Sequence, residues 1–530
     1  GSVEGELPDT TYTMTATEVI PGIPITTYGN DSAWTLPGDA WPGYLTHVGD
    51  ALYFQGYNAA TGRELWAHGV SNATTWQVAD LNNGAGHGCD FSHPMDGPMV
   101  VGDTIYFAGD DGTGYELWAY DTSNSTMWQI SETWDRSNFT PEYNLQTGGK
   151  IFHLIGDTIY FDAATDGYFQ IGQQIWAHDI SNSSTWQVAG LDLERIGWTG
   201  SFAMGDSFYF SAEDGTTGLE PWAYNTLNGT FWQLADINPT GGNTAVGDSH
   251  PFSGMDAMSM PMFDQDGDGI EDTLYFIADS GGNDVEWWAH SALNATTWQV
   301  SDSISDGGAR GMSSIEQVIV GDAIYFKADT DPFNSGGYQW WAYDTSNDSM
   351  WVSSDLPYGA GVQYDPILVG DTIYYQAYGG EFWNDPDGTG QEMWAHDTSN
   401  ASTWQVADIN PGPGHGGMMI PTLVGDTIYF CGDDGTGTTG VEFWAHDTSN
   451  ASTWQVLDAA PGPNNGCTGE RELVGDTLYF SARSYDSDDA FESFELMAYQ
   501  PGEITTIGSI HDIPENYSGS GDAFMIRDSW

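Results

Sequence analysis

Asparagine residues followed two positions later by serine or threonine recur along this chain, and Asn-x-Ser/Thr is the acceptor sequence for N-linked glycosylation. Nine of them stand four residues before a tryptophan: Asn30, Asn72, Asn124, Asn182, Asn228, Asn294, Asn347, Asn400 and Asn450. Asn138 and Asn516 lie outside this register. Hairpin turns also favour Asn, Ser and Thr, but the middle residue varies while the third is always a hydroxyl residue. We therefore expect glycosylation at these asparagines and a secreted or cell-surface location.

An acidic loop from Asp264 to Asp272 is the second chemical signal. It reads Asp-Gln-Asp-Gly-Asp-Gly-Ile-Glu-Asp, with oxygen ligands at alternating positions and glycines for a sharp turn. Such a pattern suits a hard cation, and we expect calcium to bind at Asp264, Asp266, Asp268 and Asp272. The loop resembles the short calcium loops of thrombospondin type-3 and dockerin-like repeats. It departs from an EF-hand because its twelfth position is Tyr275. The alternative is a solvated acidic turn that binds no ion. Residues 384–388 match the same pattern more weakly.

These candidate sites lie within a repeat of about 50 residues that occurs nine times. Eight copies carry a Gly-Asp step before an aromatic segment, at Gly49, Gly102, Gly156, Gly205, Gly321, Gly370, Gly425 and Gly475. In the remaining copy the acidic loop replaces that step. A Trp-Ala segment follows at Trp66, Trp118, Trp176, Trp222, Trp288, Trp341, Trp394 and Trp444, and becomes Met497-Ala498 in the last copy. A second tryptophan opens a Trp-Gln-Val-like segment at Trp76, Trp128, Trp186, Trp232, Trp298, Trp351, Trp404 and Trp454.

Each repeat predicts four short antiparallel strands. In residues 421–430, apolar residues flank a two-residue Gly-Asp turn, where glycine at the first position suits a type II′ hairpin. Residues 442–446 and 453–456 alternate and are rich in aromatic and β-branched side chains. Four such strands form a propeller blade. We therefore predict an all-β protein, a β-propeller of nine repeats over residues 30–510, with extensions at 1–29 and 511–530. Nine blades exceed the common range, so two smaller propellers are the alternative.

The two ends of the repeat region each offer an extra strand. Residues 30–34 have the register of a fourth strand, and residues 504–507 offer another after a Pro-Gly turn. One of the two could close the ring by completing a shared blade. The other could pair with a second molecule, because an unpaired strand edge is a template for association. The alternative is that these segments only pack on the outside.

The charge of the chain restricts its partners. There are 76 acidic residues against 9 basic ones, which gives a formal net charge of −67. Such a charge favours high ionic strength or bound cations, since salt shortens the range of repulsion. It argues against nucleic acid as a partner, because no basic patch is available to neutralise phosphates. The longest apolar runs are too short to insert into a membrane.

The cysteine and histidine residues point to structural roles. Three cysteines cannot form a four-cysteine zinc site. The repeat places Cys431 at the end of a second strand and Cys467 in the next inter-blade link, so a Cys431–Cys467 disulfide is expected with Cys89 left over. Three buried thiols are the alternative. Five histidines share one repeat position with tyrosine and are expected to be scaffold: His68, His178, His290, His396 and His446.

Further polar residues in the repeat leave two interpretations open. A glutamate precedes the Trp-Ala segment in most copies, for example Glu64 and Glu392, and a hydrogen bond between blades is favoured over a ring of carboxylates that binds cations. His87, His93, His250 and His415 fall in inter-blade links, where a ligand or metal site is the alternative to a structural role.

Residues 114–122, Gly-Tyr-Glu-Leu-Trp-Ala-Tyr-Asp-Thr, and Arg63 to His68 carry a family resemblance. They resemble the ELWxxDGT-type repeat of prokaryotic surface and secreted proteins, over most of the chain from Trp34 to Met497. Here the Asp-Gly-Thr part usually reads Asp-Thr-Ser. The resemblance implies an extracellular, propeller-like protein, and the acidic version resembles archaeal ones. It implies no reaction, because a fold hosts many functions.

The sequence therefore favours a glycosylated, calcium-stabilised surface propeller with a structural or adhesive role. Self-assembly into a homo-oligomer or filament through a spare strand is the sharper form of this hypothesis. Surface glycans and other envelope proteins are the expected partners, through loops such as 163–173 and 379–391. We identify no catalytic residues: the sialidase Asp-box is incomplete and no carboxylate pair stands out. A propeller enzyme or binding protein acting on extracellular carbohydrate is the alternative.

Overall fold

The computed structural model describes the chain as antiparallel sheets arranged in a ring. The described residues are 37–38, 42–58, 60–89, 91, 97–131, 151–168, 171–188, 195–196, 201–239, 261–265, 271–280, 285–300, 312–329, 338–354, 366–378, 390–417, 419–437, 440–457, 465–485, 492–499 and 513–514. Within these ranges the secondary structure consists of strands and turns, with no helix. None of the described segments is therefore a helix that could cross a membrane.

The strands form nine blades, numbered here in chain order. Blades 1 to 3 are Gly43–Val48, Ala51–Asn58, Gly62–Gly69 and Thr74–Gln77; Met99–Val101, Thr104–Asp110, Tyr115–Asp121 and Thr126–Gln129; Ile151–Ile155, Thr158–Tyr168, Ile171–Asp179 and Ser184–Gln187. Blades 4 to 6 are Phe202–Met204, Ser207–Glu213, Leu219–Asn225 and Thr230–Gln233; Met262–Phe263, Thr273–Asp279, Val285–Ser291 and Thr296–Gln299; Met312–Val320, Ala323–Asp329, Tyr338–Asp344 and Ser349–Val352. Blades 7 to 9 are Ile367–Val369, Thr372–Tyr378, Gln391–Asp397 and Ser402–Ala407; Met419–Val424, Thr427–Asp433, Val441–Asp447 and Ser452–Leu457; Cys467–Val474, Thr477–Tyr485 and Glu492–Tyr499. Arg195–Ile196 also pairs with the second strand of blade 4.

Each blade is a meander whose strands pair in sequence order. The predicted type II′ turn agrees with the backbone, because Gly49 and Gly425 have φ values of +64° and +62°. Only glycine adopts such an angle without strain. The first strands approach one another around the central axis between blades 3 and 4, 7 and 8, 8 and 9, and 9 and 1. The first strand of each blade is therefore the innermost and the fourth lies at the rim.

The hydrophobic core lies between the blades. Phe208, Tyr275 and Phe326 are among the completely or almost completely buried aromatic residues that fill these interfaces. One cluster joins Phe54 and Trp66 of blade 1 to Tyr479 and Leu496 of blade 9. The ninth blade therefore packs on the first, and the prediction of a single nine-bladed propeller is confirmed over two smaller ones.

The closing region is described in part. Three strands of blade 9 fall within the described residues. The strands expected at 30–34 and 504–507 lie outside them, so the choice between closure and a spare edge stays a prediction. Pro37–Gly38 pairs antiparallel with Ile513–Pro514. The expected loop at 163–173 is wrong for most of its length, because the second and third strands of blade 3 continue to Tyr168 and Ile171.

Candidate functional site

The two hairpin turns of each blade lie side by side on one end of the propeller, which we call the turn face. The backbone N–H of Val70, after the third strand of blade 1, donates to the carbonyl of Asp50 at 2.8 Å. The same bond joins Thr122 to Asp103 and Thr398 to Asp371 in other blades. The Gly-Asp turns and the Asn-x-Ser/Thr turns therefore form concentric rings. The inter-blade links lie at the opposite end.

The asparagine side chain organises the turn that contains it. In blade 2, the Thr126 backbone N–H and hydroxyl donate to Asn124 Oδ1 at 3.0 and 2.5 Å. Asn124 Nδ2 donates to Asp121 Oδ2 at 2.7 Å. Ser125, the middle residue, has a φ of +58°, a left-handed conformation that costs a non-glycine residue about 1 kcal/mol. The hydrogen bonds of the asparagine hold this conformation in place.

The hydroxyl residue thus has a structural use that the sequence did not reveal. The hydroxyls of Thr74, Thr126, Thr230 and Thr296 all donate to the preceding asparagine Oδ1. In the serine repeats, the backbone N–H of Ser184, Ser349, Ser402 and Ser452 makes the bond to that oxygen. The turn therefore uses the hydroxyl in the threonine repeats, whereas in the serine repeats the backbone N–H makes the bond. The serine repeats still have a hydroxyl residue at this position, as the acceptor sequence for glycosylation requires.

The registered asparagines are accessible for modification. Eight of them are exposed: Asn72, Asn124, Asn182, Asn228, Asn294, Asn347, Asn400 and Asn450. All eight lie on the turn face. Asn30, Asn138 and Asn516 lie outside the described residues, as does the segment 384–388.

Two of the four predicted calcium ligands can be placed. Asp272 occupies the position of the aspartate in the Gly-Asp turns, and its carbonyl accepts the N–H of Ala292 at 2.8 Å. Its buried carboxylate accepts the Gln265 N–H at 3.0 Å and the Thr273 hydroxyl at 2.6 Å. Asp264 lies next to Gln265, whereas Asp266 and Asp268 lie outside the described residues. Among the residues that are described, no group of three or more His, Cys, Asp or Glu is arranged to hold a metal.

The structure joins Cys431 to Cys467 by a disulfide with a Cα–Cα distance of 5.5 Å, while Cys89 is buried and forms no disulfide. The bond links the second strand of blade 8 to the first strand of blade 9. Sequence reasoning missed Arg471, whose buried guanidinium Nη2 lies 2.8 Å from Cys431 Sγ and 3.3 Å from Cys467 Sγ. The same guanidinium lies over the Phe443 ring at 5.5 Å.

The repeated glutamates hold the inter-blade links. Glu392 is completely buried, and its carboxylate accepts the backbone N–H groups of Ile409 and Gly416 at 2.8 and 2.9 Å. Glu64 makes the same kind of bond to Leu81. Burial raises the pKa of Glu64 to about 7 and that of Glu392 to about 8, although the backbone N–H bonds oppose the shift. These contacts agree with the hydrogen-bonding interpretation.

The repeated histidines are parts of the scaffold. Nδ1 of His396 lies 2.9 Å from the Thr403 hydroxyl on the fourth strand, and His68 has the same contact with Thr75. Burial lowers the pKa of His396 to about 4. In the links, Nδ1 of His87 and His415 accepts the backbone N–H of Arg63 and Gln391 at 3.1 Å. His93 and His250 lie outside the described residues.

No protein-family model and no curated protein matches this sequence. Solved structures that resemble the fold include a puromycin-hydrolyzing peptidase of Mycobacterium tuberculosis, at 11% identity over 81% of this chain and 61% of that chain, with a TM-score of 0.37. A prolyl endopeptidase has 10% identity over 88% and 55%, with a TM-score of 0.38. A putative dipeptidyl aminopeptidase IV of Bacteroides ovatus has 10% identity over 86% and 64%, with a TM-score of 0.40. This chain spans less than two thirds of each of them. The likeness concerns the β-propeller fold alone.

Proposed function

We propose that this propeller is an extracellular glycoprotein that serves as a structural or adhesive module of a cell surface. The observation that carries the proposal is the ring of exposed asparagines on the turn face. Each belongs to an acceptor sequence, and each repeats at the same place in its blade. Glycans attached there would cover one end of the molecule and leave the inter-blade links at the other end for partners.

The local geometry is compatible with glycan attachment. A side-chain amide nitrogen carries two hydrogens. One hydrogen of Asn400 Nδ2 is used in the 2.7 Å bond to Asp397 Oδ2. A glycosidic bond replaces the other hydrogen, so the turn keeps its hydrogen bonds after modification. The same bond occurs between Asn450 and Asp447 at 2.6 Å.

The proposed calcium site would stabilise the blade that lacks the Gly-Asp turn. Blade 5 replaces a two-residue turn by a longer acidic loop, and a chain with a net charge of −67 gains from a bound cation. Asp272 stands at the base of that loop, where its hydrogen bonds to Gln265 and Thr273 fix the start of the second strand. We assign the remaining coordination to Asp264, Asp266 and Asp268.

Self-assembly is the more specific form of the proposal. In blades 1 to 8 the fourth strand lies at the rim, and its outer edge pairs with no further strand among the described residues. Such an edge accepts a strand from another chain. A strand supplied by one molecule to blade 9 of the next would generate an open chain of rings.

The alternative function is a propeller enzyme or binding protein that acts on extracellular carbohydrate. Peptidases stand among the structures of similar fold, so this alternative is tested beside the adhesive role. Release of soluble sugar from extracellular polysaccharides by the purified protein would favour it.

The experiment that tests the proposal combines two measurements on the protein purified from its own cells. Glycopeptide mass spectrometry reports which asparagines carry sugar. Electron microscopy at high salt, with calcium and then with a chelator, reports assembly. Occupied asparagines together with filaments or sheets that loosen on chelation are the expected result. Unmodified asparagines would overturn the glycoprotein, and dispersed single rings in both conditions would overturn self-assembly.

A further inference from the structure

Seven blades carry an exposed tryptophan at one position of the fourth strand. Their exposed fractions lie between 36% and 40%: Trp76, Trp128, Trp186, Trp298, Trp351, Trp404 and Trp454. Each follows the acceptor asparagine of its own turn by four residues. Exposed indole rings in this number on a rim are costly, because water contacts a large apolar surface. The repeated position therefore calls for a repeated partner.

The register explains how each indole is placed. Trp404 lies opposite Ala395 on the third strand, and Trp454 lies opposite Ala445. Both alanines are completely buried. Since directly opposed residues share a face of the sheet, the indole rests on the small alanine with part of its ring open to solvent. The Trp-Ala segment of each repeat thus makes room for the second tryptophan.

The acceptor asparagine lies in the turn that leads directly into the strand carrying the indole. Residues of a strand alternate between its faces, so Ser402 and Trp404 point to the same side. Asn400 precedes them in the turn. Four residues of extended chain span at most about 13 Å, a distance that a short oligosaccharide attached at Asn400 can cover.

We propose that the glycan attached at each registered asparagine folds back along the fourth strand and packs a sugar ring on the tryptophan four residues later. This inference rests on the proposed glycosylation and adds to it a binding site for the glycan. A pyranose ring presents an apolar face of C–H groups, and contact with this face removes apolar surface of the indole from water. Covalent attachment raises the local concentration of the sugar, so a weak contact suffices.

Two variants of blade 7 isolate the glycan without changing the asparagine. Ser402→Ala destroys the acceptor sequence, while the backbone N–H of residue 402 can still make its bond to Asn400 Oδ1. Ser402→Thr keeps the acceptor and has the hydroxyl found in the threonine repeats. Both variants are produced in the native host. Mass spectrometry measures the sugar at Asn400, and hydroxyl-radical labelling measures the accessibility of Trp404, with Trp454 as the internal reference.

The expected result is that Trp404 is labelled about twofold faster in Ser402→Ala than in Ser402→Thr, because a sugar face covers roughly half of an exposed indole. Trp454 keeps its rate in both. Equal rates at Trp404, with sugar at Asn400 demonstrated in Ser402→Thr, would overturn the packing and leave the glycosylation standing. Absence of sugar at Asn400 in the unaltered protein would overturn both. Protection that depends on protein concentration instead of the glycan would identify a second copy as the occupant and overturn the inference.

Discussion

The aromatic ring of Tyr479 in blade 9 lies 6.1 Å from the imidazole of His68 in blade 1. The same pairing joins a second-strand tyrosine to a third-strand His or Tyr of the following blade at each of the remaining interfaces. The pairs are Tyr53–Tyr120, Tyr106–His178, Tyr160–Tyr224, Tyr209–His290, Tyr275–Tyr343, Tyr325–His396, Tyr374–His446 and Tyr429–Tyr499. The closing interface thus uses the contact of the internal ones.

We expect Tyr479→Ala and Tyr209→Ala to destabilise the propeller equally. Both tyrosines are buried and both face a histidine. Removing such a ring costs about 3 kcal/mol, which thermal unfolding detects. If the propeller were open between blades 9 and 1, Tyr479→Ala would lower the free energy of unfolding much less than Tyr209→Ala. Leu227→Ser is the control, since a side chain that is 76% exposed should change stability little.

Cys89, in the link between blades 1 and 2, occupies the position that Cys467 occupies at the start of the first strand of blade 9. Cys89 pairs with Gly109 and Cys467 with Ala482, at the same position of their second strands. The residue that corresponds to Cys431 is Gln55, whose Oε1 accepts the N–H of Phe91. The second strand of blade 1 is therefore joined to the following link by a hydrogen bond, whereas the second strand of blade 8 is joined to blade 9 by a disulfide.

This correspondence predicts that Gln55→Cys forms a disulfide with Cys89. The free thiol of the unaltered protein disappears, and peptide mapping under non-reducing conditions finds residues 55 and 89 linked. A bond of this loop length stabilises by about 2 kcal/mol after the loss of the Gln55 hydrogen bond. Gln55→Ser is the control, because it removes the hydrogen bond and gives Cys89 no second cysteine with which to form a disulfide. Two free thiols in Gln55→Cys would contradict the correspondence.

Much of the fold follows from the sequence because the repeat states the same pattern many times. The Gly-Asp turn, the alternation of the strands and the spacing of the tryptophans determine the blade. The contact between Tyr479 and His68 could not be predicted, since it joins residues more than 400 positions apart and depends on how the ring closes.

The candidate site shows the same limit. Asn124 and Thr126 were visible as an acceptor sequence, but the hydrogen bond between their side chains depends on the left-handed conformation of Ser125. The correspondence of Cys89 with Cys467 could have been predicted, because Gly88-Cys89 and Gly466-Cys467 occupy the same position of the repeat. Arg471 had no such signal, since its contacts with the disulfide depend on packing between blades.

Glu392 should make the protein less stable as the pH rises. Its pKa is about 8 in the folded protein, against 4.5 in the unfolded chain. Between these values the folded protein holds a proton that the unfolded chain has released, so the contribution is complete below pH 4.5 and is lost as the pH rises through 8. Glu392→Gln should therefore show a smaller fall in the unfolding midpoint between pH 5 and 9. Leu227→Ser changes an exposed side chain that does not titrate and should keep the slope of the unaltered protein.

His396 acts in the opposite direction. Its pKa is about 4 in the folded protein and 6.5 in the unfolded chain. Its contribution is complete above pH 6.5 and is lost as the pH falls through 4, because the unfolded chain binds a proton that the folded protein excludes. Tyrosine occupies this position at Tyr120 and Tyr224, so His396→Tyr should be tolerated. The variant should lose less stability than the unaltered protein between pH 7 and 4, and an equal loss would contradict this role.

The acidic loop of blade 5 predicts two kinds of aspartate with different responses to calcium. Asp272 is buried and bonded to Gln265 and Thr273, so Asp272→Asn should lower the unfolding midpoint with or without calcium. Asp266→Asn should lower it only when calcium is present, since this residue would act through the ion. Saturating calcium at a hundred times its dissociation constant stabilises a site by about 2.7 kcal/mol. Thermal unfolding in calcium and in a chelator measures the difference. If the unaltered protein unfolds at the same temperature with calcium and with a chelator, calcium does not stabilise this blade. If Asp266→Asn is still stabilised by calcium, Asp266 is not a ligand and the ion binds elsewhere.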